Sequence, residues 1–203
     1  MGIGREIVSS SAFAPASPLA DPGAAVSPAA DDQRGAFARA HVEFAWRVAR
    51  RLGLARADAE DVAQRALLIA SGRWKDVVPG SERAFVFRTV ANLVSKVYRD
   101  RRRRPEHSDE SVSEIASNEH NPEQLLEQRR ARAQLDEILC ELSPDLRSAF
   151  VLFEIEGFSQ PEMASALEIP LGTVASRLRR ARAEFTRIAV RRGILTPPSE
   201  RPR

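Results

Sequence analysis

The stretch GFSQPEMASALEIPLGTVASRLRRARAEF, residues 157–185, constrains this chain more than any other. It reads as two short helices joined by a tight turn. Ser159 and Glu162 have the spacing of a capping box, and Pro161 sits in the first turn, where a missing N–H costs nothing. Met163, Ala164 and Leu167 recur at helical spacing, and Glu168-Ile169-Pro170-Leu171-Gly172 then breaks the helix. From Gly172–Thr173 onward, Val174, Leu178, Ala181 and Phe185 fall on one stripe that must be buried. At about 100° per residue, Thr173, Ser176, Arg180 and Arg187 point away from that stripe, with Arg177, Arg179 and Arg182 on its flanks. A capped first helix supporting a second, arginine-faced helix is what a helix-turn-helix needs to enter a major groove. The same pattern also fits an amphipathic hairpin with a solvated arginine face.

Charge is distributed in blocks. The net charge is only +3, yet the basic side is almost all arginine, with Lys75 and Lys96 the two lysines. Arginine suits bidentate contact with phosphate and guanine. Residues 99–104 and 177–192 are basic, whereas Pro105–Gln128 carries seven acidic residues and no lysine or arginine. That stretch reads as a flexible acidic linker. Its two dozen residues reach about 80 Å when extended, on the order of two turns of DNA.

Helical periodicity dominates and strand signals are poor, so the expected fold is all-α, with two small helical domains. Residues 1–33, rich in Ala, Pro, Ser and Asp, read as a disordered extension. In the first domain, residues 34–104, a helix from about Asp32 to Leu52 buries Phe37, Phe44, Val48 and Leu52, and Gly53 ends it. Asp58 is expected to cap a second helix with Val62, Ala66 and Ile69 inward. After the loop Arg73–Gly80, Ser81 is expected to cap a long helix, Glu82 to about Arg104, with Val86, Val90, Leu93 and Val97 as its core stripe. Cations interleaved with aromatics (Trp74, Lys75, Phe87, Arg88, Lys96, Tyr98) suit single-stranded nucleic acid, the rings stacking on bases and the cations following the backbone. Asn92 has the donor and acceptor to read a base edge. Equally, Phe87 and Trp74 fit a core-filling role.

The second domain, residues 129–192, is expected to hold four helices. Arg129–Glu141 turns Leu135, Ile138, Leu139 and Leu142 inward; Ser143-Pro144 opens a helix with Leu146, Ala149, Phe150 and Phe153 inward; the helix-turn-helix follows, and residues 193–203 read as a frayed tail. Cys140 is the only cysteine, which excludes an internal disulfide, fits a reducing compartment and suggests a buried structural thiol beside Leu139. His41, His107 and His120 are scattered, and no metal-ligand spacing, HExxH, GxSxG or P-loop pattern occurs. No apolar run exceeds five residues, so nothing reads as a membrane span or signal peptide. No cofactor, metal or catalytic residue is expected.

Three motifs, in order, resemble the extracytoplasmic-function (ECF) group of bacterial RNA polymerase sigma factors. DAEDVAQRALLIA (Asp58–Ala70) resembles the D-x-E-D-x-x-Q motif of region 2. ERAFVFRTVANLVSKVYRDRRRR (Glu82–Arg104) is similar to the family's F-x-x-W-L-x-x-I-A-x-N-x-x-x-D-x-x-R-x-x-R stretch. LSPDLRSAFVLFEIEGFSQPEMASALEIPLGTVASRLRRAR (residues 142–182) resembles region 4 with its I-P-x-G-T-V-x-S-R-L-x-R-A-R signature.

The resemblance implies a cytoplasmic, non-enzymatic promoter-specificity subunit. Asp58, Asp61 and Gln64 fall where similar proteins meet the clamp of the largest subunit of core polymerase, and region 4 also meets the flap of the second-largest subunit. Trp74, Lys75, Arg88, Asn92, Lys96 and Arg99 would hold the melted -10 element, one base lying in a pocket formed by Arg73–Ser81. Ala175, Ser176, Arg179 and Arg180 would face bases of the -35 element, and Thr173 and Arg177 its phosphates. An anti-sigma factor is an expected partner. A stand-alone helix-turn-helix regulator is the alternative. Departures from the family pattern are Phe85 for tryptophan, Arg65 for an acid, Thr89 for isoleucine, Ser95 and Lys96 for an acidic or small pair, and Glu168 where glycine is frequent. A left-handed residue at 168 would cost about 1 kcal/mol.

Overall fold

The computed structural model describes residues 28–103 and 122–196, and every regular element in them is helical. α1 (Pro28–Arg51), α2 (Arg56–Gly72) and α3 (Glu82–Arg103) form the first unit, with a 3-10 turn at Trp74–Asp76. α4 (Pro122–Glu141), α5 (Pro144–Phe150), α6 (Gln160–Leu167) and α7 (Leu171–Arg191) form the second. The expected extension up to residue 33 and the expected linker up to residue 128 both lose their last residues to helix. α1 begins at Pro28 and α4 at Pro122, each opening on a proline, which the first helical turn accepts. The rest of those segments, and residues 197–203, lie outside the described residues; residues 193–196 form a capped turn, with Gly193 left-handed and Ile194 N–H donating to Ala189 O at 2.9 Å.

Along α1, Phe44, Val48 and Leu52 are buried as expected, whereas Phe37, near the start of the helix, is only half-buried. Two expectations on α2 fail. Asp58 does not cap it: Ala55 holds the cap position, and Asp58 lies in the first turn, paired with Arg101 of α3. Ile69 is exposed, because the inward stripe is Ala59, Val62, Ala63, Ala66, Leu67 and Ala70, an alanine-rich face that lets α1 and α2 approach closely. On α3, Val86, Val90 and Val94 are buried while Leu93 and Val97 are only half-buried. Ser81 does not cap by its side chain; its hydroxyl donates to Val78 O at 2.6 Å.

In the second unit, Ile138, Leu139, Leu142, Leu146, Ala149 and Phe150 are buried as expected, and Phe153 is half-buried. Cys140 is exposed, since one step past Leu139 turns it about 100° off the buried stripe. After α5 the helix widens into one π turn, Val151–Ile155, closed by Glu156 N–H donating to Val151 O at 2.9 Å.

The two units share one apolar core. Phe158, 5% exposed, enters the first unit with ring centroids 6.2 Å from Phe44 and 6.4 Å from Phe87. Arg147 of α5 is buried as well. Its guanidinium donates to Leu52 O (2.7 Å) just past the end of α1, and to Cys140 O (2.7 Å) and Leu142 O (3.2 Å) at the end of α4. A cation placed between the negative ends of two helices is held by both dipoles without a carboxylate. Gly53, with φ +97°, makes room for it: a Cβ there would lie 2.6 Å from Tyr98 Oη and closer still to Arg147.

Candidate nucleic-acid interface

The helix-turn-helix forms as its sequence dictates. The capping box is complete: Glu162 N–H donates to Ser159 Oγ (3.4 Å), and Glu162 Oε2 accepts from Ser159 N–H (2.7 Å) and its hydroxyl (2.6 Å). Those bonds, the hydroxyl's first, hold the Glu162 carboxyl below the usual glutamate range. Glu168 ends α6 in the left-handed conformation, φ 54° and ψ 44°, the one non-glycine residue with positive φ among the described residues. Pro170 leads into α7.

Val174, Leu178 and Ala181 of α7 are buried, and Phe185 stacks on Phe150 with centroids 4.3 Å apart. That fixes the opposite face. Ala175, Ser176, Arg179 and Arg180 are exposed, and Thr173 and Arg177 are half-buried at its edge. Ser176 Oγ donates to Thr173 O at 2.9 Å. Arg177 pairs with Asp145 at 3.2 Å, and Arg182 with Glu154 at 2.5 Å while lying over Phe153. Arg179 and Arg180 pair with no acid among the described residues. The basic run to Arg192 is therefore two things: a free outer face in the first half, and ion pairs at the far end, where Arg191 and Arg192 hold Glu141 and Glu137 of α4. The hydrogen bond from Arg192 keeps the Glu141 carboxyl low.

A second polar stripe lies on α3. Arg88, Asn92, Lys96 and Arg99 follow at four-, four- and three-residue steps and so share one face. Asn92, Lys96 and Arg99 are exposed. Arg88 is half-buried: its guanidinium lies 5.3 Å from the centre of the Phe85 ring, and Nη1 meets Glu168 Oε1 at 2.7 Å. Phe85, standing in the expected tryptophan position, thus supports a cation. Thr89 is satisfied inside the helix, its hydroxyl donating to Phe85 O at 2.9 Å. Phe87 is fully buried and Tyr98 donates to Gly53 O at 2.8 Å, so neither ring is available to stack on a base. Trp74 is half-buried, with Lys75 Nζ 5.7 Å from its ring centre, at the loop before α3.

The third surface is on α2. Asp61, Gln64, Arg65 and Leu68 are exposed on one face, with Leu68 at 68%. Arg65 pairs with Asp61 at 2.9 Å, so the arginine in place of an acid folds back on its own helix. Gln64 borders a groove of about 580 Å³ between α1 and α2, lined by Val42, Trp46, Leu67 and Leu68 among others. Asp58 lies one turn before Asp61 on the same side of α2 and is paired with Arg101 of α3.

Sequence reasoning missed the junction between the units. Glu156, its side chain 4% exposed, accepts from Arg47 of α1 (3.3 Å) and Arg83 of α3 (3.1 Å), and Arg83 also donates to Glu156 O at 3.0 Å. Arg51 pairs with Asp136 at 2.5 Å. The only trace of this in the sequence is the run of arginines at 47, 50 and 51, which reads as solvated. Among the described residues, no group of side chains has the makings of a metal site, and no helix is long and apolar enough to cross a membrane.

Comparison with known proteins agrees with this layout. Residues 37–104 match the family model for sigma-70 region 2, and residues 132–185 that for sigma-70 region 4. The ECF RNA polymerase sigma factor SigE of Mycolicibacterium smegmatis is 34% identical over 148 residues, 72% of this chain and 58% of SigE, so the chain spans less than two thirds of that relative. The RNA polymerase sigma-E factor of Streptomyces coelicolor is 32% identical over 159 residues, 78% of this chain and 86% of that protein. The solved structure of CnrH in complex with the cytosolic domain of CnrY superposes with a TM-score of 0.58 at 25% identity, covering 78% of this chain and 88% of CnrH.

Proposed function

The chain belongs to the ECF sigma factors of bacterial RNA polymerase, and on that premise we propose that it is a promoter-specificity subunit that joins core polymerase, reads -35 and -10 elements and helps melt the duplex. The observation that carries this reading is the pair of outward basic stripes, on α3 and α7, one on each of two helical units. A stand-alone duplex binder would need only the second.

In this reading the first half of α7 enters the -35 major groove. Arg179 and Arg180, unpaired and exposed, reach base edges with Ala175 and Ser176, while Thr173 and Arg177 meet phosphates. Asn92, Lys96 and Arg99 follow the non-template strand of the -10 element, joined by Arg88. Trp74 and Lys75 border the pocket for an unstacked base. Flipping a base costs a few kcal/mol, which stacking and phosphate contacts offset.

The α2 face with Asp61 and Gln64, and Asp58 at its start, docks on the clamp of the largest subunit, and the second unit on the flap of the second-largest. No step needs a catalytic group, and the protein works in the cytoplasm. An anti-sigma factor is a further partner in this reading; the similar CnrH was solved in complex with another protein's segment, the cytosolic domain of CnrY. Co-sedimentation with core polymerase tests this: the full chain binds and Gln64→Ala with Asp61→Ala weakens binding, whereas a chain that binds duplex DNA tightly but never joins polymerase is a stand-alone regulator.

A further inference from the structure

One side chain of the helix-turn-helix stands outside both the core and the set of base-facing residues. Leu171 opens α7 and is 51% exposed. The other large apolar side chains of α7, Val174, Leu178, Phe185, Ile188 and Val190, are buried or half-buried. Open space continues beside it, where a Cβ on Gly172 would meet nothing within 4 Å. A leucine exposed on a surface is ordinary in itself. What sets this one apart is its place, at the end of the helix that leads into the groove.

Two features of the helix tie this leucine to DNA rather than to the fold. Ala175 and Arg179 follow it at four-residue steps, so the three share one edge of the outer face, apolar at its leading end and cationic two turns on. Acids occupy the first turn of α2, α3, α5 and α6, where the helix dipole favours them, yet α7 has none. An acid there would repel a phosphate backbone, and a leucine does not. The group that an apolar edge recognises in a major groove is the C5-methyl of thymine. The polar edges of the other bases would be desolvated against a leucine without gaining a hydrogen bond. Leu171 and Arg179 lie about 12 Å apart along α7, so they address different base pairs.

We infer that Leu171 is a specificity-determining residue of α7, which with Ala175 packs on the C5-methyl group of a thymine in the -35 element. This rests on the promoter-recognition reading and adds to it: Arg179 and Arg180 select hydrogen-bonding edges, whereas the leading turn selects a methyl group. Burial of one such carbon corresponds to about a three- to fivefold preference for thymine over uracil at that position.

The test uses the full chain with core polymerase, on duplex templates carrying the -35 element that the parent selects. Each thymine of the element is replaced in turn by uracil, which keeps every hydrogen bond and lacks only the methyl. Initiation by the parent falls about three- to fivefold at one thymine position. Leu171→Ala initiates less from the thymine template by a similar factor, no longer distinguishes thymine from uracil there, and keeps the parent's selection at the other positions. Leu171→Met, which restores a long apolar side chain, recovers the discrimination. Leu171 is exposed, so its truncation removes no core packing and the melting temperature stays at the parent's. Full uracil sensitivity in Leu171→Ala overturns the inference, as does a parent indifferent to uracil at every thymine. So does a loss in Leu171→Ala that is equal on every template, which would place the side chain against polymerase instead of DNA. A parent that selects no -35 element defeats the promoter-recognition reading, and this inference with it; a parent that selects one leaves only the inference at stake.

Discussion

Replacing Phe158 by alanine tests whether the two units are one cooperative structure. The residue is 5% exposed, its ring lies near Phe44 and Phe87 of the first unit, and its backbone N–H donates to Leu152 O in the π turn of the second. Its removal deletes a buried aromatic and leaves a cavity that straddles the junction. Burial of this kind is worth about 3–5 kcal/mol on Phe→Ala replacement. For a chain of this size each kcal/mol shifts the melting temperature by about 2–4 °C, so the expected drop is about 6–20 °C. Because the lost contacts lie between the units, the single transition should also broaden or split as each core melts alone. Calorimetry with far-UV circular dichroism reads both effects. A variant that melts in one transition within about 2 °C of the parent, a shift worth at most 1 kcal/mol, would show that Phe158 is not packed between the cores, and the account of the junction would fail.

Gly53→Ala should cost about 1–3 kcal/mol, because φ is +97° and the new methyl collides with Tyr98 and Arg147; a urea midpoint equal to the parent's would contradict the geometry. Ser159→Ala should destabilise the second unit by about 1 kcal/mol through loss of the cap. The Glu162 carboxyl is depressed by its bonds to Ser159, so its contribution is present above the ordinary value of 4.5 and lost as pH falls through the lower folded value. The urea midpoint should therefore decline below about pH 4.5, and less steeply in Glu162→Gln; an equal decline in both would place the effect elsewhere.

The helix-turn-helix was the most legible part of the chain, because its determinants are local: a capping box, a proline-led turn and an apolar stripe every three to four residues. The families of helices in both units were legible for the same reason. Errors arose where burial depends on what lies opposite. Ile69 has the hydrophobicity of a core residue, but α1 approaches the alanine face of α2 instead. Cys140 misses the buried stripe by one step. Phe87 looked equally fit for bases or core, and the packing of Phe158 decided it for core. Asp58 looked like a cap, yet its partner Arg101 is 43 residues away. The same holds for Glu156, Arg147 and the Arg88–Glu168 pair, all joining residues that are remote in sequence. Periodicity carries no signal for such pairs, although the unexpected glutamate at 168 marked one end of a pair.

The most direct measurement of the central claim is transcription by purified core polymerase and the full chain on templates with randomised upstream sequence. The account predicts initiation from a two-element consensus, with Arg180→Ala relaxing selection at the -35 element and Asn92→Ala at the -10 element. Each lost base contact should cost about 1–3 kcal/mol of discrimination. Initiation from no particular sequence, or relaxation of the same element by both variants, would contradict it.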